Sequence, residues 1–138
     1  MEILLKIISF VLLVSLIIFP ILVLKQLQKR KTKNIFIPYL MISLIITFIL
    51  ILIIAWWTNF SNKLLLSHLG YDFEAMNDIQ RFQDVASENL DTVKKLRIST
   101  MGIGWPLKAF MFYPFYFPYL LIVSFGSSFL TRIKQKSN

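Results

Sequence analysis

Cysteine is absent from the 138 residues, histidine occurs once and glycine only four times. Without thiols there is no disulfide, no thiolate metal site and no cysteine nucleophile. The single His68 has no second histidine or cysteine to complete a zinc shell. It reads as an amphipathic filler at an interface. Acidic residues are scarce too, seven against fifteen Lys and Arg, for a formal net charge of +8. The most informative absence is local. Residues 39–57 and 109–130 carry no charge at all, and the apolar run 7–24 is broken only by Ser9, Ser15 and Pro20.

What fills those gaps is hydrocarbon. Hydrophobic residues make up 57% of the chain, more apolar surface than a soluble domain of this length could hide. Each apolar run approaches the roughly 20 residues that cross a hydrocarbon core of about 30 Å. Without water to satisfy the backbone, such runs are helical. The sequence therefore predicts an all-α integral membrane protein with three transmembrane helices and short extracytoplasmic amphipathic helices. The first two spans fall at 3–24 and 38–57, joined by a basic loop 25–34. An outer segment 58–105, a third span 106–131 and a basic tail 132–138 follow. The first span differs from a cleaved signal peptide: Glu2 and Lys6 cancel, the apolar run is too long, and Val23-Leu24-Lys25 offers no small residues.

The positive charge hugs the span ends. Lys25, Lys29, Arg30, Lys31 and Lys33 share one loop, and Arg132, Lys134 and Lys136 lie in the tail. This is the pattern of the positive-inside rule, not of a nucleic-acid footprint, and no nucleic-acid-binding fold remains once the spans are set aside. Both clusters belong in the cytoplasm, which leaves the N-terminus and the nearly neutral segment 58–105 outside. Five positive charges beside a membrane also attract anionic lipid headgroups at about 1 kcal/mol each. Trp56, Trp57 and Trp105 mark the outer interface. Pro38 and Pro106 suit the first turns of the second and third helices.

In the outer segment, residues 58–70 either continue the second helix or lie on the membrane, ending at Gly70. Phe73, Met76, Ile79, Phe82 and Val85 recur every three residues and predict an amphipathic helix over 72–86. Ser87 is a candidate N-cap for a second helix carrying Leu90, Val93 and Leu96, with an Asp91–Lys95 pair at the favourable spacing. Two short helices need something to cover their apolar stripes. They pack on each other, on the bilayer surface or on another subunit; a further copy of the chain is the leading expectation, with Phe73, Met76, Ile79, Phe82, Leu90 and Val93 as contacts.

Little here suggests catalysis. No nucleophile stands beside a base, and the acidic residues of 72–91 read as a solvated face. Gly102-Ile103-Gly104 lacks the third glycine and the strand of a nucleotide loop. The third span carries Pro114 and Pro118 on one face, with Phe115 and Tyr116 in its aromatic run. Each proline frees a carbonyl four residues earlier, so the helix is kinked or broken. A broken helix is a transporter feature, but no ionisable residue lies at mid-span to couple it to ions. Lys108 is expected to snorkel to the outer surface. Ser43 with Thr47, and Ser124 with Ser128, form small faces for close helix contact.

Met76-Asn77, Arg81-Phe82, Glu88-Asn89-Leu90, Val93-Lys94 and Met101-Gly102-Ile103-Gly104-Trp105-Pro106-Leu107-Lys108-Ala109, together with the three-span layout, carry a resemblance. The chain resembles the Acinetobacter-type small trimeric inner-membrane proteins of Gram-negative bacteria, over Tyr71–Phe110. The resemblance implies a homotrimer in the inner membrane, a periplasmic helical part, and a role in envelope integrity and drug tolerance without an established biochemical activity; no catalytic residue is carried over from it, and the residues themselves lead to the expectation of no cofactor. The rival expectations are a small channel or transporter lined by the third span, a phage-type lysis pore, and a membrane enzyme.

Overall fold

The computed structural model describes residues 2–29 and 34–136, with side chains from 130 onward left aside. It is all-helical. Three long helices, α1 (Glu2–Lys29), α2 (Phe36–His68) and α5 (Trp105–Lys136), are each long and apolar enough to cross a membrane. Between α2 and α5 lie α3 (Asp78–Arg81), a 3₁₀ turn (Ser87–Asn89) and α4 (Leu90–Thr100). The long helices leave most of their apolar side chains exposed, including Phe10, Ile45, Phe115 and Phe129. In water that would be untenable; against acyl chains it is the expected surface.

The helices run antiparallel in sequence. Trp57 Nε1 donates to Ser9 Oγ at 3.1 Å near one end of the bundle, and Gln28 Nε2 donates to Ser127 Oγ at 2.7 Å near the other. The C-terminal ends of α1 and α5 thus share one end. The segment 58–105 caps the opposite end. Trp57 is consequently turned into the bundle, and of the adjacent pair only Trp56 faces outward.

One face of α2 repeats every fourth residue: Tyr39, Ser43, Thr47 and Ile51 are all buried. The two small residues permit close approach of neighbouring helices. Thr47 bonds back to the Ser43 carbonyl at 2.6 Å, and the paired Ser124 of α5 is also buried. Ser43, Thr47 and Ser124 thus face the inside of the bundle, whereas Ser128 is exposed and bonds back to the Ser124 carbonyl at 3.0 Å.

Tyrosines lock the three spans. A phenol in hydrocarbon needs an acceptor, and each finds a main-chain carbonyl on another helix. Tyr113 donates to Leu44 at 2.8 Å, Tyr119 to Ile17 at 2.9 Å, Tyr39 to Leu120 at 3.3 Å, and Tyr116 to Leu16. The last pairing has a cause in the sequence. Pro20 sits inside α1 and has no N–H, so the Leu16 carbonyl four residues back lacks its helical donor. Tyr116 supplies one.

The helix expected over 72–86 does not form. Only Asp78–Arg81 is helical there. Asp72 Oδ1 accepts from the Glu74 N–H and Asn77 Oδ1 from the Gln80 N–H, both at 2.8 Å. Such local side-chain bonds compete with helix and favour turns and caps. Ser87 opens a 3₁₀ turn and α4 starts without a side-chain cap. Among the described residues the ion pairs are Glu2–Lys6, Asp78–Arg81 and Asp78–Arg97, so the Asp91–Lys95 pair is not made.

What holds the cap is a small core. α2 continues past the membrane-length stretch to His68, and then Gly70 takes φ +88°. The Gly70 N–H bonds to Ser67 O at 3.2 Å and the Tyr71 N–H to Leu66 O at 3.0 Å, a Schellman ending with its apolar contact between Tyr71 and Leu66. Those two residues form a buried cluster with Val85 and Val93, flanked by Leu69, Phe82, Leu90 and Leu96. The apolar stripe of α4 is thus satisfied largely inside the chain. Arg97 pins α3 to α4 with two bonds to Asp78, 2.8 and 3.2 Å, while its guanidinium lies 5.5 Å from the Phe82 ring centre.

Candidate functional site

The residues singled out from sequence fall in four places. Of the basic loop, Lys25 and Lys29 lie exposed at the end of α1, while Arg30, Lys31 and Lys33 lie outside the described residues. The six cap residues divide sharply. Met76 and Ile79 are 97% and 85% exposed and Phe73 is 45% exposed, whereas Val93 is wholly buried and Phe82 and Leu90 pack on the internal cluster. Val93 has no surface left to offer a neighbour. Third, α5 is one unbroken helix through Pro114 and Pro118. This settles the choice between a kinked and a broken helix against the broken one. Both prolines and Phe115 face outward, and Tyr116 turns inward to α1.

The fourth place was only partly foreseen. A cavity of about 620 Å³ lies between α1, α2 and α5 beneath the cap, within the usual range for small-molecule sites. Its lower walls are apolar: Leu13, Ile51, Ala55, Ala109 and Phe112, with Tyr116 and Leu16 at the deep end. Going up α2 toward the cap, the lining changes to Thr58, Asn59 and Asn62. The opposite wall rises on α5 to Lys108 and Trp105. One rim is exposed to the surroundings at Leu13 of α1 and at Phe112 and Phe115 of α5, so the cavity opens sideways between those helices.

At the polar end, Lys108 does more than reach for the surface. Its Nζ donates to the Ser99 carbonyl at 2.7 Å, in the last turn of α4, where a cation suits the helix dipole. Asn62 Nδ2 donates to Ser99 Oγ at 2.9 Å. Together they seat α4 on the bundle. Lys108 makes no ion pair among the described residues and keeps two further N–H donors.

Sequence reasoning missed Arg97, which clamps a residue 19 positions away with no periodic signal. It named Tyr116 for its aromatic ring and Pro20 only as an interruption. Their pairing was foreshadowed by the orphan carbonyl that any mid-span proline creates. Among the described residues no group of His, Cys, Asp and Glu is placed to hold a metal ion. No protein-family model, curated protein or solved structure matches this sequence.

Proposed function

We propose that this helical membrane protein is a non-enzymatic, self-assembling component of the bacterial inner membrane, a homotrimer that supports envelope integrity and drug tolerance. Its cap lies in the periplasm, with the N-terminus outside and the C-terminus in the cytoplasm. The observation that carries the assembly is the exposure of Met76 and Ile79. Residues 58–68 extend α2 beyond the second apolar run by about 16 Å, so these side chains stand in water unless protein covers them. A second copy of the chain supplies that cover. The likeness of Tyr71–Phe110 to the Acinetobacter-type trimeric family supports the subunit count and the envelope role. The gathering of Lys25, Lys29 and the end of α5 at the pole opposite the cap supports the sidedness.

Native mass spectrometry of the protein in nanodiscs tests the assembly. A trimer is expected for the natural chain, and a shift to monomer for Met76→Asp/Ile79→Asp with helicity unchanged. Phe82→Asp is not an equivalent probe, because Phe82 packs on Tyr71 at 5.3 Å within the protomer and its loss damages the cap itself. A natural chain of monomer mass, or a double variant that stays trimeric, overturns the reading. The cysteine-free sequence allows single cysteines at Glu74 and Lys25 to be labelled from outside the cell. Only the first should react.

A further inference from the structure

We infer that the cavity beneath the cap holds one acyl chain of an anionic phospholipid, with its phosphate on Lys108. Burying a chain gives little selectivity here, since lipid tails are already apolar surroundings. Selection must come from the polar end. There Lys108 is the only charged lining residue among the described residues, and Asn59 and Asn62 offer amides at the same height. Lys108 carries a positive charge with two free donors and no carboxylate beside it among the described residues, the complement of a phosphate with net negative charge. The sideways opening between Leu13 and Phe115 lets a chain enter from the bilayer while its headgroup remains at the interface. Register supports the fit. From Tyr116 at the floor to Lys108 at the mouth, eight residues of helix give about 12 Å, the depth of a half-inserted chain. The occupant comes from the leaflet on the cap side, unlike any lipid drawn to Lys25 and Lys29 at the other pole. The cavity is lined within one chain, so a monomer would hold the lipid equally.

The test uses the full chain in nanodiscs with photoreactive phosphatidylglycerol or phosphatidylethanolamine, matched in acyl chain and carrying a diazirine in it. Crosslinked peptides are mapped. Phosphatidylglycerol should label the Leu13 and Phe112–Phe115 peptides about fivefold more than phosphatidylethanolamine, the size of one interfacial lysine contact. Lys108→Arg should keep that preference and Lys108→Gln should erase it. Lys108→Gln also loses the Ser99 bond, so a second variant leaves that seam alone: Ala55→Phe places a ring in the lower cavity and should abolish labelling there by both lipids. Equal labelling by the two lipids in the natural chain overturns the inference. So does a preference that persists in Lys108→Gln, or undiminished labelling in Ala55→Phe.

Discussion

Replacing Tyr116 with Phe removes one hydroxyl and leaves the ring. In the folded protein the Leu16 carbonyl then loses its tyrosine donor. It has no helical donor either, because Pro20 occupies the position that would supply it. An interhelical hydrogen bond in a membrane contributes about 0.6 kcal/mol on average and up to about 1.7, and an orphaned buried acceptor lies toward the upper end. The expected loss is therefore about 1–1.5 kcal/mol, a five- to tenfold shift in the unfolding equilibrium. Context supplies the sharper test. In a Pro20→Ala background residue 20 regains an N–H, the Leu16 carbonyl is served within α1, and Tyr116→Phe should lose most of its effect. Pro20 is itself fully buried, so Pro20→Ala carries a packing penalty of its own; the double-mutant cycle cancels it. Reversible unfolding in mixed micelles, followed by tryptophan fluorescence, measures all four proteins. A coupling of about 1 kcal/mol is expected. If Tyr116→Phe weakens both backgrounds equally, the carbonyl freed by Pro20 is not what the tyrosine serves, and the argument is refuted.

Two further perturbations separate the cap from the bundle. Gly70→Ala forces a side chain into the left-handed region, at about 1–2 kcal/mol. The new Cβ would also lie 2.4 Å from the Asp84 carbonyl oxygen, backbone that cannot swing aside. Trypsin should then cut after Arg81 much faster while the spans stay helical; unchanged cleavage would contradict the Schellman ending as the anchor. Arg97→Lys keeps the charge but cannot make the two-pronged contact with Asp78. Because Asp78 is 63% exposed, the loss should stay below about 1 kcal/mol. It should appear as faster amide exchange over 77–85 at low salt, and a salt-independent rate would exclude the ion pair as the cause.

The three spans were legible because length and the absence of charge settle them. The structure lengthens α1 to Glu2–Lys29 and α2 to Phe36–His68, since a helix does not stop where hydrocarbon does. Gly70 as a terminator was legible for the same kind of reason: few other residues accept φ +88°. The segment 72–86 was misread because its three-residue apolar spacing was weighed above Asp72 and Asn77, whose side chains capture the backbone locally. The cavity was out of reach. It arises from how three helices splay, and neither Ala55 nor Asn62 announces in sequence that it faces the same space as Lys108.

Bundle and cap obey opposite rules, and this gives the seam between them its importance. Within lipid no hydrophobic force draws helices together, so packing and bonds such as Tyr113 to Leu44 must do so. In the cap, Leu66, Tyr71, Val85 and Val93 cluster because water excludes them. The two regimes meet where Asn62 and Lys108 hold Ser99. A charge there is tolerable only because it sits at the boundary, and α5 carries no other from Trp105 to Phe129. The bond to the Ser99 carbonyl uses one of the three N–H donors of Lys108, and the charge also suits the end of α4. Two donors remain beyond that bond, and in the proposed site they and the charge select for a negative headgroup in whatever enters the cavity.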